Sequence, residues 1–401
     1  MIKKKIVFIT SEKLPVPPVK GGAVEHWIYE AAQRLKDTYE VYSISIHDPL
    51  IGQFEKGEGI TFRNYKKGLI AKMLLCSYKL PFKNDFSSLY YLPYSLWAGR
   101  QAKKIKADII HIHSRPHFVP ILRFLNPEAK IILHIHNLSV IDYNGKLWEK
   151  TLWDKVSLVL ACSNYLQEEI LKRYPYLKSK TNVIYNGIDT QEISPAGVTL
   201  KKQAEIRQQY RISQEDIVLM YAGRLVEYKG AHILIEAFKD IVKDYKKAKL
   251  VILGGQTYSN TAVTAYMKQI QELSRGFEDK IIFTNYISHK EIPDFLGLSD
   301  IFVMPSLWDE PFGVAIIEAM AMEKPVVAFA KGGIKEIIIN NQSGILIENT
   351  SAESLREKLS HLIDNPMLRK ELGKNARERV EMMFSWPKVI NNLISLYEGL
   401  N

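Results

Sequence analysis

Two glutamates eight positions apart, Glu310 and Glu318, stand in the run Trp308-Asp309-Glu310-Pro311-Phe312-Gly313-Val314-Ala315-Ile316-Ile317-Glu318. Pro311 and Gly313 suit a tight loop, and the residues after Gly313 predict a helix that begins there. Glu310 then lies at the mouth of a helix N-terminus and Glu318 about two turns further on. Such an end offers free backbone N–H groups and partial positive charge, suited to sugar hydroxyls or phosphate oxygens. Two carboxylates nearby can accept hydrogen bonds from several vicinal hydroxyls. The combination points to a nucleotide-sugar site.

Three further clusters bear on that chemistry. Gly223-Arg224-Leu225-Val226-Glu227-Tyr228-Lys229-Gly230 follows a predicted strand, and ligands of open α/β sheets bind beyond the carboxyl ends of strands. Two fixed cations there can hold a diphosphate and stabilise the charge that develops as it leaves; a solvated basic turn is the plainer reading. Lys20-Gly21-Gly22-Ala23 also follows a strand and opens a helix, where a glycine pair lets backbone approach a phosphate or sugar. It is not a Walker loop, since no Gly-Lys-Ser/Thr follows. His111 and His113 end one predicted strand; His134 and His136 end another, with Asn137 next. Strand alternation points each pair one way, beside the expected crevice. These imidazoles could bind metal, act as acid or base, or hydrogen-bond a sugar hydroxyl. A metal site needs a closed ligand set with supporting partners, which spacing does not establish. We read His113 and His136, with Asn137, as sugar or acceptor contacts, His111 and His134 as structural, and no residue as a metal ligand. No Ser/His/Asp triad or Cys-x-x-Cys pattern stands out.

The elements that must position these groups follow from apolar runs without strict alternation, which suit parallel strands covered on both faces. In the first half we predict strands at Lys5–Thr10, Glu40–Ile46, Asp108–His113, Lys130–His136 and Leu158–Cys162, with a helix at Val24–Leu35. A polar stretch with Pro195 and Gly197 reads as a linker. A second series follows at Ile217–Ala222, Lys249–Leu253, Lys280–Thr284, Asp300–Pro305, Pro325–Ala328 and Gly344–Ile347. At 401 residues the chain suggests two α/β domains, and 46% hydrophobic with 24% charged residues is a soluble globular composition. Two cysteines, Cys76 and Cys162, build no disulfide framework and favour a reducing, intracellular compartment. Lys3-Lys4-Lys5 before Ile6–Ile9 superficially resembles a leader, but Ser11-Glu12-Lys13 cuts the run short, so a first strand is the reading. No segment approaches the roughly 20 apolar residues that span a bilayer. The net charge of +10 is uneven: to Asp189 there are about 28 Lys and Arg against about 17 Asp and Glu. That basic half suits anionic lipid or an acidic acceptor; no nucleic-acid module is recognisable, so nucleic acid is not expected. Lys66–Leu80 looks like a basic amphipathic segment able to lie on an anionic membrane, though a core-facing helix with solvated lysines is the favoured reading.

Together the motifs resemble the GT-B glycosyltransferases of family 4 over essentially the whole chain. The matches are the Gly21-Gly22 loop, Asp108–His113, Asn186-Gly187-Ile188-Asp189, Gly223-Arg224-Leu225 with Lys229-Gly230, and Glu310-Pro311-Phe312-Gly313 with Glu318. Phe384-Ser385-Trp386 before an amphipathic helix resembles that family's last segment, which crosses back to the first domain. Glu12–Gly22 further resembles the spore coat protein SA group. The resemblance implies an α/β fold of two Rossmann-like doubly wound domains facing across a cleft. The acceptor-side domain is 1–190 plus a crossing helix at about 385–401, and the donor domain is 191–384.

It also implies roles. Arg224 and Lys229 would bind the donor diphosphate, Glu310 and the Phe312–Val314 backbone the donor sugar, and Glu318 the ribose. Gly21 and Gly22 would close over the phosphates, His113 would sit near the reacting sugar, and His136 at the acceptor side. Transfer would retain anomeric configuration through same-face attack, without metal or other cofactor; the nucleotide-sugar, with uracil as the implied base, is a co-substrate. Thr284-Asn285-Tyr286-Ile287, where relatives contact the base, carries no decisive signature. The expected acceptor is a surface glycan, lipid carrier, spore-coat component or protein, and the expected location cytoplasmic, at the inner membrane face or at a spore coat. A coat-associated protein without turnover is the alternative from another class; an epimerase or phosphorylase of the same fold fits the charged positions less well.

Overall fold

The computed structural model describes residues 3–53, 59–66, 87–140, 149–255, 264–284 and 287–400. Most of the basic Lys66–Leu80 segment, Cys76 and the Asn285-Tyr286 pair lie outside those residues. The chain divides into two compact units, Met1–Tyr185 with Ile390–Asn401, and Asn186–Val389.

The first unit is built on seven strands: β1 (Lys5–Ile9), β2 (Glu40–Ile46), β3 (Ile60–Tyr65), β4 (Ile109–His113), β5 (Lys130–Ile135), β6 (Leu158–Ala161) and β7 (Thr181–Val183). They form one parallel sheet in the order β3-β2-β1-β4-β5-β6-β7. The strand order reverses between β1 and β4; the Gly21-Gly22 turn follows β1, and His113 is the last residue of β4. Ile6, Val7, Phe8 and Ile9 have no exposed surface, as a strand covered on both faces requires. The helix Ala23–Leu35 buries Trp27, Ile28, Ala31, Ala32 and Leu35, the i, i+3, i+4 stripe of an amphipathic helix.

The second unit repeats the design with β8 (Ile217–Ala222), β9 (Ala248–Leu253), β10 (Ile281–Phe283), β11 (Ile301–Met304), β12 (Val326–Phe329) and β13 (Ile345–Ile347). Its parallel order is β10-β9-β8-β11-β12-β13, so the reversal falls between β8 and β11. Leu234, Phe238 and Ile241 of one helix pack with Leu355 and Leu359 of another and with the sheet. Each such side chain contributes roughly 1.5–3 kcal/mol relative to exposure.

The chain enters and leaves this unit side by side. Ile188 pairs with Ser385; the Ile188 N–H donates to the Phe384 carbonyl at 2.9 Å and the Trp386 N–H to the Ile188 carbonyl at 3.1 Å. Gly187 lies under Trp386, where an added β-carbon would be 2.5 Å from the indole. These contacts place Asn186–Asp189 and Trp386 in the second unit, whereas the sequence reading sets the domain limits at 190 and 385. The helix Trp386–Glu398 begins in the second unit and ends in the first.

Candidate active site

In the second unit the loop after β8 is fixed by backbone on two sides. The Gly223 N–H donates to the Leu253 carbonyl at 3.1 Å and the Leu225 N–H to Gly255 at 2.9 Å. Gly230 ends a 3-10 turn at φ 73, and a β-carbon there would sit 1.9 Å from the Pro305 carbonyl oxygen. The loop is thereby held between the exits of β9 and β11, and Arg224 and Lys229 stand at the switch point of the sheet. The Arg224 guanidinium donates to the Tyr228 hydroxyl at 2.7 Å, and Lys229 Nζ donates to Glu310 Oε1. Lys229 also lies 5.8 Å from the Trp308 ring centroid.

Glu310 is 6% exposed. Its Oε1 accepts a second hydrogen bond from Ser306 Oγ at 2.7 Å. Behind it, the Gly333 N–H donates to the Glu310 carbonyl at 2.7 Å and the Gly332 N–H to Asp309 Oδ1 at 2.9 Å. Ser306, Gly332 and Gly333 escaped the sequence reading. A signal existed: Lys331-Gly332-Gly333 after β12 repeats the Lys20-Gly21-Gly22 pattern after β1.

The helix Val314–Ala321 starts on Gly313, which has φ 147 and ψ 68, a backbone conformation open to glycine. Phe312 turns its ring inward against Phe384, 5.6 Å between centroids, so its backbone rather than its side chain is left at the loop. Glu318 is 8% exposed and its Oε1 is 3.1 Å from His289 Nε2, a partner that the sequence reading did not identify. The two carboxylates are thus differently engaged: Glu310 by an ammonium and a hydroxyl, Glu318 by an imidazole.

In the first unit, Gly21 and Gly22 take φ 74 and φ 108 and lead into the helix. Beneath Gly22 lies Glu25, whose Oε2 would be 2.3 Å from an added β-carbon. Burial is the main cause that raises the Glu25 carboxyl to about 7. Glu12 accepts from Arg115 Nε at 2.9 Å. None of Glu12, Glu25 or Arg115 was singled out from sequence.

The four histidines share one face of the sheet, but β5 ends at Ile135, so His136 and Asn137 start the following loop rather than end the strand. His111 and His113 stack at 4.5 Å and 14°, and His113 Nδ1 is 3.0 Å from His136 Nε2. His111 Nδ1 meets the Tyr397 hydroxyl at 2.6 Å. Ring nitrogens of His111, His113 and His134 lie within 4.8 Å of one another, near enough to suggest a metal. The His111 and His113 rings are stacked, with 14° between their planes, so a metal in the plane of one ring would sit over the face of the other. His113 is 1% exposed, while His136 and Asn137 keep partial access.

Burial drives His111, His113 and His134 well below 6.5 and His117 and His136 to about 3. Below pH 6.5 the unfolded chain therefore takes up protons that the folded unit resists. Stability supplied by the neutral rings is complete above 6.5 and is lost as pH falls toward 3. Calorimetric melting at pH 7.5 and pH 5 should show the first unit's transition at clearly lower temperature at pH 5. An unchanged transition would contradict the buried neutral cluster. Glu25 acts oppositely: its neutral form supports the fold below 4.5, and that support is lost as pH rises through about 7.

The family profile described as Glycosyl transferases group 1 matches residues 202–379, and that described as Glycosyltransferase Family 4 matches residues 21–192. The chain is 29% identical to Spore coat protein SA of Bacillus subtilis (strain 168), over 98% of this chain and 99% of that protein. It is 27% identical to Lipopolysaccharide 1,2-N-acetylglucosaminetransferase of Salmonella typhimurium, over 96% of each. Among solved structures, a glycosyltransferase from Rickettsia africae ESF-5 superposes with a TM-score of 0.80 at 23% identity, covering 99% of this chain and 98% of that one. Anabaena Alr3699/HepE in complex with UDP-glucose does so with 0.77 at 20%, covering 98% and 99%. With every strand but β1 falling under these two profiles and the carboxylate and cation loops at the second sheet's switch point, the chain belongs to the group 1, family 4 glycosyltransferases and has the GT-B fold.

Proposed function

We propose that the protein transfers a sugar from a nucleotide-sugar donor, a UDP-sugar, to a surface glycan, lipid-linked or protein acceptor, with retention of configuration. The observation that carries this reading is the pairing of Lys229 with Glu310 at the β8–β11 switch point, with Arg224 on the same loop as Lys229. Lysine has three donors, so Lys229 can hold Glu310 and a phosphate oxygen together. Glu310 accepts from the donor sugar, Glu318 from the ribose, and the two cations stabilise the diphosphate as the anomeric C–O bond breaks. The acceptor oxygen bonds to that carbon from the same face and its proton passes to the leaving phosphate. Fixed cations supply the charge compensation that a metal would otherwise provide. On the first unit, His136 and Asn137 retain access for an acceptor, whereas His113 would act on the reacting sugar from behind His136.

A donor screen that follows nucleotide release and thermal shift together tests the reading, with the product anomer assigned by NMR. Arg224→Ala should lower kcat/KM by about 2–4 kcal/mol of transition-state stabilisation, some 30- to 1000-fold. An Arg224→Ala enzyme of normal kcat/KM would remove the diphosphate assignment. The likeness to Spore coat protein SA favours one second reading, a coat-associated protein without turnover; nucleotide binding with no transfer or donor hydrolysis would select it. Among the described residues no helix is long and apolar enough to cross a membrane. Peripheral attachment through the basic first half is part of the proposal, and salt-sensitive binding to anionic liposomes tests it.

A further inference from the structure

Arg224 and Lys229 lie beside two neighbouring rings. The Arg224 guanidinium lies 5.7 Å from the Tyr228 ring centroid and donates to the Tyr228 hydroxyl at 2.7 Å. Lys229 lies 5.8 Å from the Trp308 centroid, and the Tyr228 and Trp308 rings are 5.4 Å apart. Tyr228 is also tied through its backbone: its carbonyl accepts from the Leu307 N–H at 2.9 Å and from Ser306 Oγ at 3.4 Å. Its ring is 39% exposed, so core packing is not what this side chain chiefly supplies.

The two cations are held by different chemistry. Lys229 has the Glu310 carboxylate, which offsets its charge. No carboxylate pairs with Arg224 among the ion pairs of the described residues; it is held by a neutral hydroxyl at the edge of a ring. A hydroxyl fixes the direction of a guanidinium without cancelling its charge. An anionic ligand therefore meets a full positive charge already oriented. We propose that Tyr228 is a positioning residue for the diphosphate of the donor, acting through Arg224 to present an oriented but unneutralised guanidinium.

This rests on the donor-site reading above, so the test separates the two. Wild type, Tyr228→Phe, Tyr228→Leu, Arg224→Ala and the double variants are titrated calorimetrically with UDP, inorganic pyrophosphate and uridine. Tyr228→Leu should weaken UDP and pyrophosphate about 5- to 20-fold, the scale of one charge-assisted hydrogen bond, and Tyr228→Phe by about as much. Uridine binding should not change. In the Arg224→Ala background the Tyr228 substitutions should have no further effect, the mark of coupling rather than of separate contributions. Should Tyr228→Leu fail to fold, the Tyr228→Phe cycle decides in its place. Equal losses with and without Arg224, or equal losses for uridine and UDP, would overturn the proposal while leaving the donor site standing. Wild-type protein that binds neither UDP nor pyrophosphate would overturn both.

Discussion

Glu310→Gln should lower kcat/KM by about 100- to 1000-fold while keeping the shape of the site, the scale seen when one well-aimed polar contact to a transition state is lost. The side-chain oxygen of glutamine can still accept from Ser306, so the loop keeps that tie. What is lost is the negative charge opposite Lys229. Both members are largely buried, with 15% and 7% of their side chains exposed, and removing one partner of such a pair typically destabilises by about 3–5 kcal/mol. Glu310→Ala therefore confounds two effects, because it also leaves a cavity and an unpaired ammonium. Glu310→Gln combined with Lys229→Met should recover melting temperature without recovering turnover. Near-normal kcat/KM in folded Glu310→Gln, or in the double variant at its recovered melting temperature, would end the assignment of Glu310 to the donor sugar.

The need for that double variant shows where sequence reasoning stops. Strands buried on both faces were legible as apolar runs: Glu40–Ile46 and Ile217–Ala222 are observed with the predicted limits, and the helix begins directly after Gly313. β3 and β7 were missed, and both lie at sheet edges. Ile60–Tyr65 mixes polar with apolar residues, and Thr181–Val183 is three residues long, so neither carries an apolar run. Arg224, Lys229, Glu310 and Glu318 stood out because each lies in a short local motif. The Lys229–Glu310 pairing joins positions 81 apart, and only the neighbouring of β8 and β11 brings them together. His289 reaches Glu318 in the same way, across the sheet rather than along the chain. Alternation pointed each histidine pair one way, yet it says nothing of how the rings stack or of the His113–His136 contact between the pairs.

Gly332 gives the sharpest test of how the fold sets Glu310. It has φ 51, a left-handed conformation that costs an L-residue roughly 1–2 kcal/mol. A β-carbon there would also lie 2.4 Å from the Glu310 carbonyl oxygen and 2.8 Å from the Asp309 carbonyl carbon and the Glu310 nitrogen. Those are backbone atoms, which cannot turn aside as the end of a flexible side chain can. Gly332→Ala should therefore push the Asp309–Glu310 peptide away from β12, and a displacement near 1 Å at a positioned group can cost about 100-fold in rate. Gly276 is the matched control: it has φ 82 and nothing within 4 Å of an added β-carbon. Gly276→Ala should lose only the backbone term, about 1 kcal/mol, and retain activity. Melting temperature and kcat/KM of the two variants, measured side by side, separate strain at a turn from displacement of the site. If Gly332→Ala folds and behaves like Gly276→Ala in both, the turn after β12 does not position Glu310.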